Sequence, residues 1–142
     1  MNFQTALAAV IVLCSYGDAQ KFSLSRAGDQ TLGQNEPIIW NNVETNLGFE
    51  MNGGNIRPLS KTSFFYFLHA HFTCTRAMTM VMKENANSIA FGSCSRRGTG
   101  VISIVRRLSV DSKISVRLFS STGSNKAVRS RVTRFVGFAL AN

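Results

Sequence analysis

Carboxylates are scarce in this chain of 142 residues: Asp and Glu total 7 against 16 Lys and Arg, a formal net charge of +9. Proline is almost missing at 2, and the 11 glycines follow no Gly-X-Y period, which excludes a collagen stalk. No run of about 18 apolar residues occurs, so no helix is expected to insert into a membrane. Histidine is limited to His69 and His71. The chain has no P-loop, no G-x-G-x-x-G, no H-E-x-x-H and no G-x-S-x-G nucleophile elbow, and it reads as a non-enzyme. What is plentiful is apolar side chain: 44% of residues are hydrophobic and 11 are Phe, which rules out a disordered polyelectrolyte. The length suits one domain.

Residues 1–19 stand apart. An apolar stretch from Ala6 to Cys14 leads into Gly17 and Ala19, placed at −3 and −1 of a cleavage site, the layout of a secretory signal peptide. Cleavage after Ala19 leaves a domain over residues 20–142 that begins at Gln20. It removes Cys14, so that Cys74 and Cys94 remain in an oxidising compartment as a natural disulfide pair. Two separate buried thiols are the other reading. Neither cysteine lies in a C-x-x-C spacing, and zinc is not expected.

The domain reads as short strands. In Ser63–Phe72, Phe64, Tyr66, Leu68, Ala70 and Phe72 fall on one face, with Phe65, Phe67, His69 and His71 on the other. Both faces start apolar, which places this strand inside a sheet. Val101–Arg107 and Lys113–Phe119 alternate as well, and Val132–Leu140 is a further apolar run. Turn-forming residues separate these runs at Asn52-Gly53-Gly54, Gly98-Thr99-Gly100 and Ser120–Asn125. Regularly spaced strands with polar turns predict an all-β sandwich or jelly roll.

Five segments, taken in order, resemble the globular head domain of complement C1q, a branch of the tumour-necrosis-factor-like jelly rolls. Pro37–Asn46 with Gly48 is similar to an early strand and "v-x-T-N-x-G". Gly54–Pro58 is similar to "G-x-F-x-x-P", one residue short, and Phe64–Phe67 to "G-x-Y-x-F". Leu108–Ile114 occupies the place of "L-x-x-G-D-x-V", and Phe135–Leu140 that of the closing "F-x-G-F-L". Ser63 or a neighbour stands where the family has Gly, and Val110 replaces the Gly before Asp111. The resemblance covers about residues 21–141. It implies a ten-stranded antiparallel jelly-roll sandwich that assembles as a homotrimer, with Tyr66 and Phe135 weak candidates for the trimer contact and core packing their ordinary alternative.

His69 and His71, spaced i, i+2, share a strand face, yet no third metal ligand is at hand and no metal site is assigned. The acids beyond the leader are Asp29, Glu36, Glu44, Glu50, Glu84 and Asp111, too dispersed for a calcium cage, which leaves backbone carbonyls as its remaining oxygen source. No cofactor is assigned.

Charge is the informative feature that remains. Residues 20–60 carry three bases and four acids, whereas residues 61–142 carry thirteen bases and two acids. Arginine outnumbers lysine 11 to 5, and its planar fork suits sulfate, phosphate and carboxylate. Arg96, Arg97, Arg106, Arg107, Lys126, Arg129, Arg131 and Arg134 are the candidate anion-binding residues, and a trimer would triple them. The expected ligands are anionic glycans or lipopolysaccharide, with a protein receptor as the rival; no aromatic–basic motif for specific nucleic-acid binding is present. The resulting expectation is a secreted, lectin-like recognition protein of innate immunity. Its rivals are a structural matrix or mucus component and a cytokine-like receptor ligand.

Overall fold

A computed structural model describes residues 20–121, 127–129 and 133–140. The leader, Lys126 and Arg131 lie outside the described residues. Twelve strands are present among them: β1 (Lys21–Ser25), β2 (Gln30–Thr31), β3 (Asn42–Leu47), β4 (Phe49–Asn52), β5 (Asn55–Pro58), β6 (Phe64–Thr73), β7 (Met78–Glu84), β8 (Asn87–Cys94), β9 (Thr99–Leu108), β10 (Ile114–Ser121), β11 (Ala127–Val128) and β12 (Arg134–Ala139). Ten of them make two five-stranded antiparallel sheets, ordered β3-β1-β12-β6-β9 and β4-β5-β10-β7-β8, while β11 and β2 pair as a small ribbon. This is the jelly-roll sandwich expected of the sequence. No helix among the described residues is long and apolar enough to cross a membrane.

Alternation in β6 sets the core. Tyr66, Leu68, Ala70 and Phe72 are all fully buried between the sheets, while Phe65 on the outward face is half exposed. The strand is paired on both sides, with β12 and β9, and so lies inside its sheet as expected. From the opposite sheet Ile114, Val116, Leu118, Met80 and Met82 close on it. Phe22 joins the layers, its ring edge-on to Phe135 at 5.0 Å and to Phe49 at 4.8 Å. Each aromatic ring removed from water in this way contributes about 2–3 kcal/mol.

Tyr66 and Phe135, the weak trimer-contact candidates, are both at 0% exposure inside this core. Their position is corrected accordingly: the inward phase of β6 and β12 spends them on the sandwich itself, and the tyrosine hydroxyl donates to Gln20 Oε1. Burial pushes the Tyr66 phenol up to about 12. The turn expected at Gly98-Thr99-Gly100 is also displaced. The chain reverses over 95–98, where the Gly98 N–H bonds Ser95 O at 2.9 Å, and Gly100 already lies in β9. A Cβ there would come within 2.6 Å of the Phe72 ring, so this glycine serves close packing instead of a turn.

Candidate functional site

The two ends of the sandwich hold the basic groups, and β9 separates them. Arg96 and Arg97 occupy the exposed turn between β8 and β9, with Arg97 at φ 58. Arg106 and Arg107 sit at the far end of β9, about 25 Å away at the usual strand rise. The six candidates among the described residues therefore do not form a single patch.

At the far end the guanidinium groups are occupied. Arg106 Nε donates to Glu84 Oε1 at 2.8 Å, and the other oxygen of that carboxylate accepts from Ser112 Oγ at 2.8 Å. Arg107 lies over the Phe65 ring, 5.9 Å from its centroid. Arg57 pairs with Glu50 and bonds Val110 O at 3.2 Å. These arginines hold strand ends together.

The near end is built differently. Cys74 and Cys94 form a disulfide with Cα atoms 6.2 Å apart, joining the loop after β6 to the end of β8. The Cys74 N–H bonds Gly98 O at 3.0 Å, fixing the Arg96-Arg97 turn against that loop. Arg129 is drawn in from the other side, since its N–H bonds Thr73 O at 2.9 Å and its neighbour Val128 bridges Cys74. Arg134, the first residue of β12, has Nη1 3.7 Å from Glu44 Oε2. It helps line a cleft of about 550 Å³ with Ser25, Arg26, Asn42 and Glu44. In that cleft Arg26 donates to Ile39 O at 2.7 Å and Gly28 O at 3.1 Å, so its fork is already used.

Solved structures with this arrangement of sheets are known. The globular domain of zebrafish complement 1qA superposes with a TM-score of 0.63 at 16% identity, over 87% of this chain and 98% of that one. Murine APRIL gives 0.62 at 14%, over 87% and 99%. Eiger TNF from S. frugiperda gives 0.61 at 9%, over 87% and 92%. The fold is C1q/TNF-like. No protein-family model and no curated protein matches the chain.

Within this C1q/TNF-like fold His69 and His71 lie on the outward face of the first sheet. His69 Nδ1 is 2.6 Å from Ser103 Oγ, and its ring stacks on Phe67 at 6.2 Å. Burial, and then the neighbouring His71, hold its pKa below the ordinary imidazole value. No group of three His, Cys, Asp or Glu side chains that could hold a metal occurs among the described residues.

Sequence reasoning missed Arg76. It follows Cys74 by two residues, as Arg96 follows Cys94, so the chain carries Cys-x-Arg twice. The disulfide brings the cysteines of the two copies to a Cα separation of 6.2 Å. That repeated tripeptide was the available signal.

Proposed function

We propose that the chain is a secreted, non-catalytic recognition protein of C1q-domain type that forms a homotrimer and binds anionic microbial or extracellular surface ligands in innate immunity. The observation that carries this reading is the charge of the disulfide end. The segments that meet there, residues 70–79, 91–101 and 127–129, hold Arg76, Arg96, Arg97 and Arg129, against the single carboxylate of Asp29 on the adjoining β2 segment, next to Gln30 that pairs with Val128. Such a surface attracts polyanions from solution and repels cations. The fold shared with a complement head domain supports a ligand-binding rather than a catalytic role, and residues 1–19 support secretion. Self-association is supported by the outward face of the first sheet, where Phe65, Val101 and Val105 stay about half exposed at 49%, 51% and 53%. Apolar surface gathered in this way commonly marks an interface.

Light scattering of the secreted protein should give the mass of three chains. Binding to immobilised heparin and to lipopolysaccharide should weaken steeply with added salt. Binding that ignores salt would remove the electrostatic mechanism. A cytokine-like receptor ligand is the second reading, favoured by the likeness to Eiger TNF. Saturable binding to cells that survives competition by heparin would select it.

A further inference from the structure

The arginines divide by whether their donors are used. Arg26, Arg57, Arg106, Arg117 and Arg134 are each engaged by carbonyl, hydroxyl or carboxylate oxygens. Among the described residues, no hydrogen bond or ion pair takes up the guanidinium of Arg76, Arg96, Arg97 or Arg129, all at the disulfide end, nor that of Arg107 at the far end, which lies instead over the Phe65 ring. Arg76 and Arg96 each lie two residues from a bridged cysteine, so their Cα atoms stand within about 7 Å of it. Arg129 is fixed to the residue preceding Cys74. Each of these guanidiniums keeps its five donors without an oxygen partner among the described residues.

A second feature adjoins them. A cleft of about 250 Å³ reaches Cys94 and Ala77, the neighbour of Arg76; Thr79, Ser93, Ser120 and Ser121 line it together with Met78, so that its wall is more apolar than polar. Thr79 and Ser93 bond each other at 2.9 Å, which orders two of these groups. Its volume is below the range of drug-sized pockets and fits a single sugar residue. Beside it, Phe91 and Phe119 pack edge-on at 5.1 Å and remain 53% and 49% exposed. Phe91 lies two residues before Ser93 on the same strand, and Phe119 directly precedes Ser120. An exposed aromatic face meets the C–H side of a pyranose ring through dispersion, hydroxyls meet its oxygens, and arginine forks meet acidic substituents.

We infer that the disulfide end is a saccharide site, in which Arg76, Arg96, Arg97 and Arg129 grip sulfate or phosphate esters while the hydroxyl cleft and Phe91 hold the sugar. The inference rests on the anionic-ligand reading above and gives it an address. Mixed chemistry distinguishes it from a merely basic surface, because the two halves answer differently to salt.

The test is binding of a heparin oligosaccharide and of lipopolysaccharide over a range of salt, with melting temperature recorded for every variant. Replacing Arg76, Arg96, Arg97 or Arg129 singly by Gln should lower affinity about tenfold and flatten the salt dependence, as loss of a charge-assisted bond requires. Phe91→Ala should lower affinity and leave the salt slope unchanged. Lys61→Gln and Lys113→Gln, equal in charge but at the other end, should bind as the parent does. De-sulfated heparin and dephosphorylated lipopolysaccharide show which ester is preferred, and failure of both parent glycans to gain from their esters overturns the site. If the two lysine variants weaken binding as much as the four arginine ones, the site is wrong while anionic recognition survives. If the parent protein binds neither glycan, the anionic reading falls with it.

Discussion

The two ends of this sandwich carry similar numbers of cations and use them in opposite ways. At the β5–β6 end Arg57 is held by Glu50, and Arg106 by Glu84, which Ser112 also supports. At the disulfide end Arg76, Arg96, Arg97 and Arg129 meet no carboxylate, and the mechanical tie is the covalent bridge Cys74–Cys94. The contrast teaches that an arginine's role follows from what fills its fork. Where acids are available, arginine contributes to cohesion; where a disulfide provides cohesion, arginine stays free for solvent and ligand.

The largest way to break this comparison is to remove the bridge. The double substitution Cys74→Ala, Cys94→Ala should cost about 3 kcal/mol, the loop-entropy value for a closed loop of this size. Urea unfolding checks the magnitude. Amide exchange checks the location: protection should fall at Cys74, Gly98 and Arg129 and stay unchanged at Asn85 and Lys113. If protection falls equally at both ends, the disulfide is not a local tie. If the double variant does not fold, the single substitution Arg57→Gln at the opposite end should still melt cooperatively, with exchange at Gly98 unaltered.

Next comes the other end's own tie. Glu84→Gln keeps the side chain's shape but removes its charge, so that Arg106 bonds a neutral carbonyl and the Ser112 hydroxyl must turn to accept from an amide N–H, with an expected loss of about 1–2 kcal/mol. The partial exposure of Arg106, 41% at its side chain, keeps the figure at this level. Glycan affinity should not change. A variant that binds heparin more weakly would show the two ends to be coupled.

The strand pattern was legible because it depends on local alternation: β6, β9 and β10 fall where the period-two runs lie. The disulfide was legible from compartment and count. Gly100 misled as a turn residue because its reason is the Phe72 ring across the sheet, a contact no local pattern reveals. Tyr66 and Phe135 were offered weakly to a partner with core packing as the alternative, since burial against the second sheet is invisible in one strand's sequence. For the site, the sequence supplied the arginines without their partners. Arg106 looked as available as Arg96 because Glu84 is 22 residues away along the chain. Arg76, alone in its segment, was passed over until the bridge joined its Cys74 to the Cys94 that precedes Arg96 by two residues.

The smallest effect belongs to neither end. His69 sits midway along β6, bonded to Ser103 and stacked on Phe67, with Val136 its register partner on β12. The charged or titratable neighbours of this face are His71, and Arg134 opposite it, itself close to Glu44. Burial and His71 both disfavour the imidazolium, so the folded pKa lies below that of the unfolded chain. As pH falls through about 6.5, the unfolded chain takes up a proton that the folded one refuses, and stability declines until the folded group's own pKa is passed. Melting temperature should therefore drop on acidification from about pH 7.5 to 5.5. His69→Gln, which can still bond Ser103, should remove most of that drop and leave the cysteine and Glu84 effects intact. An undiminished drop in the variant would move the acid sensitivity elsewhere, and a rise in stability with acid would reverse the sign argued from burial.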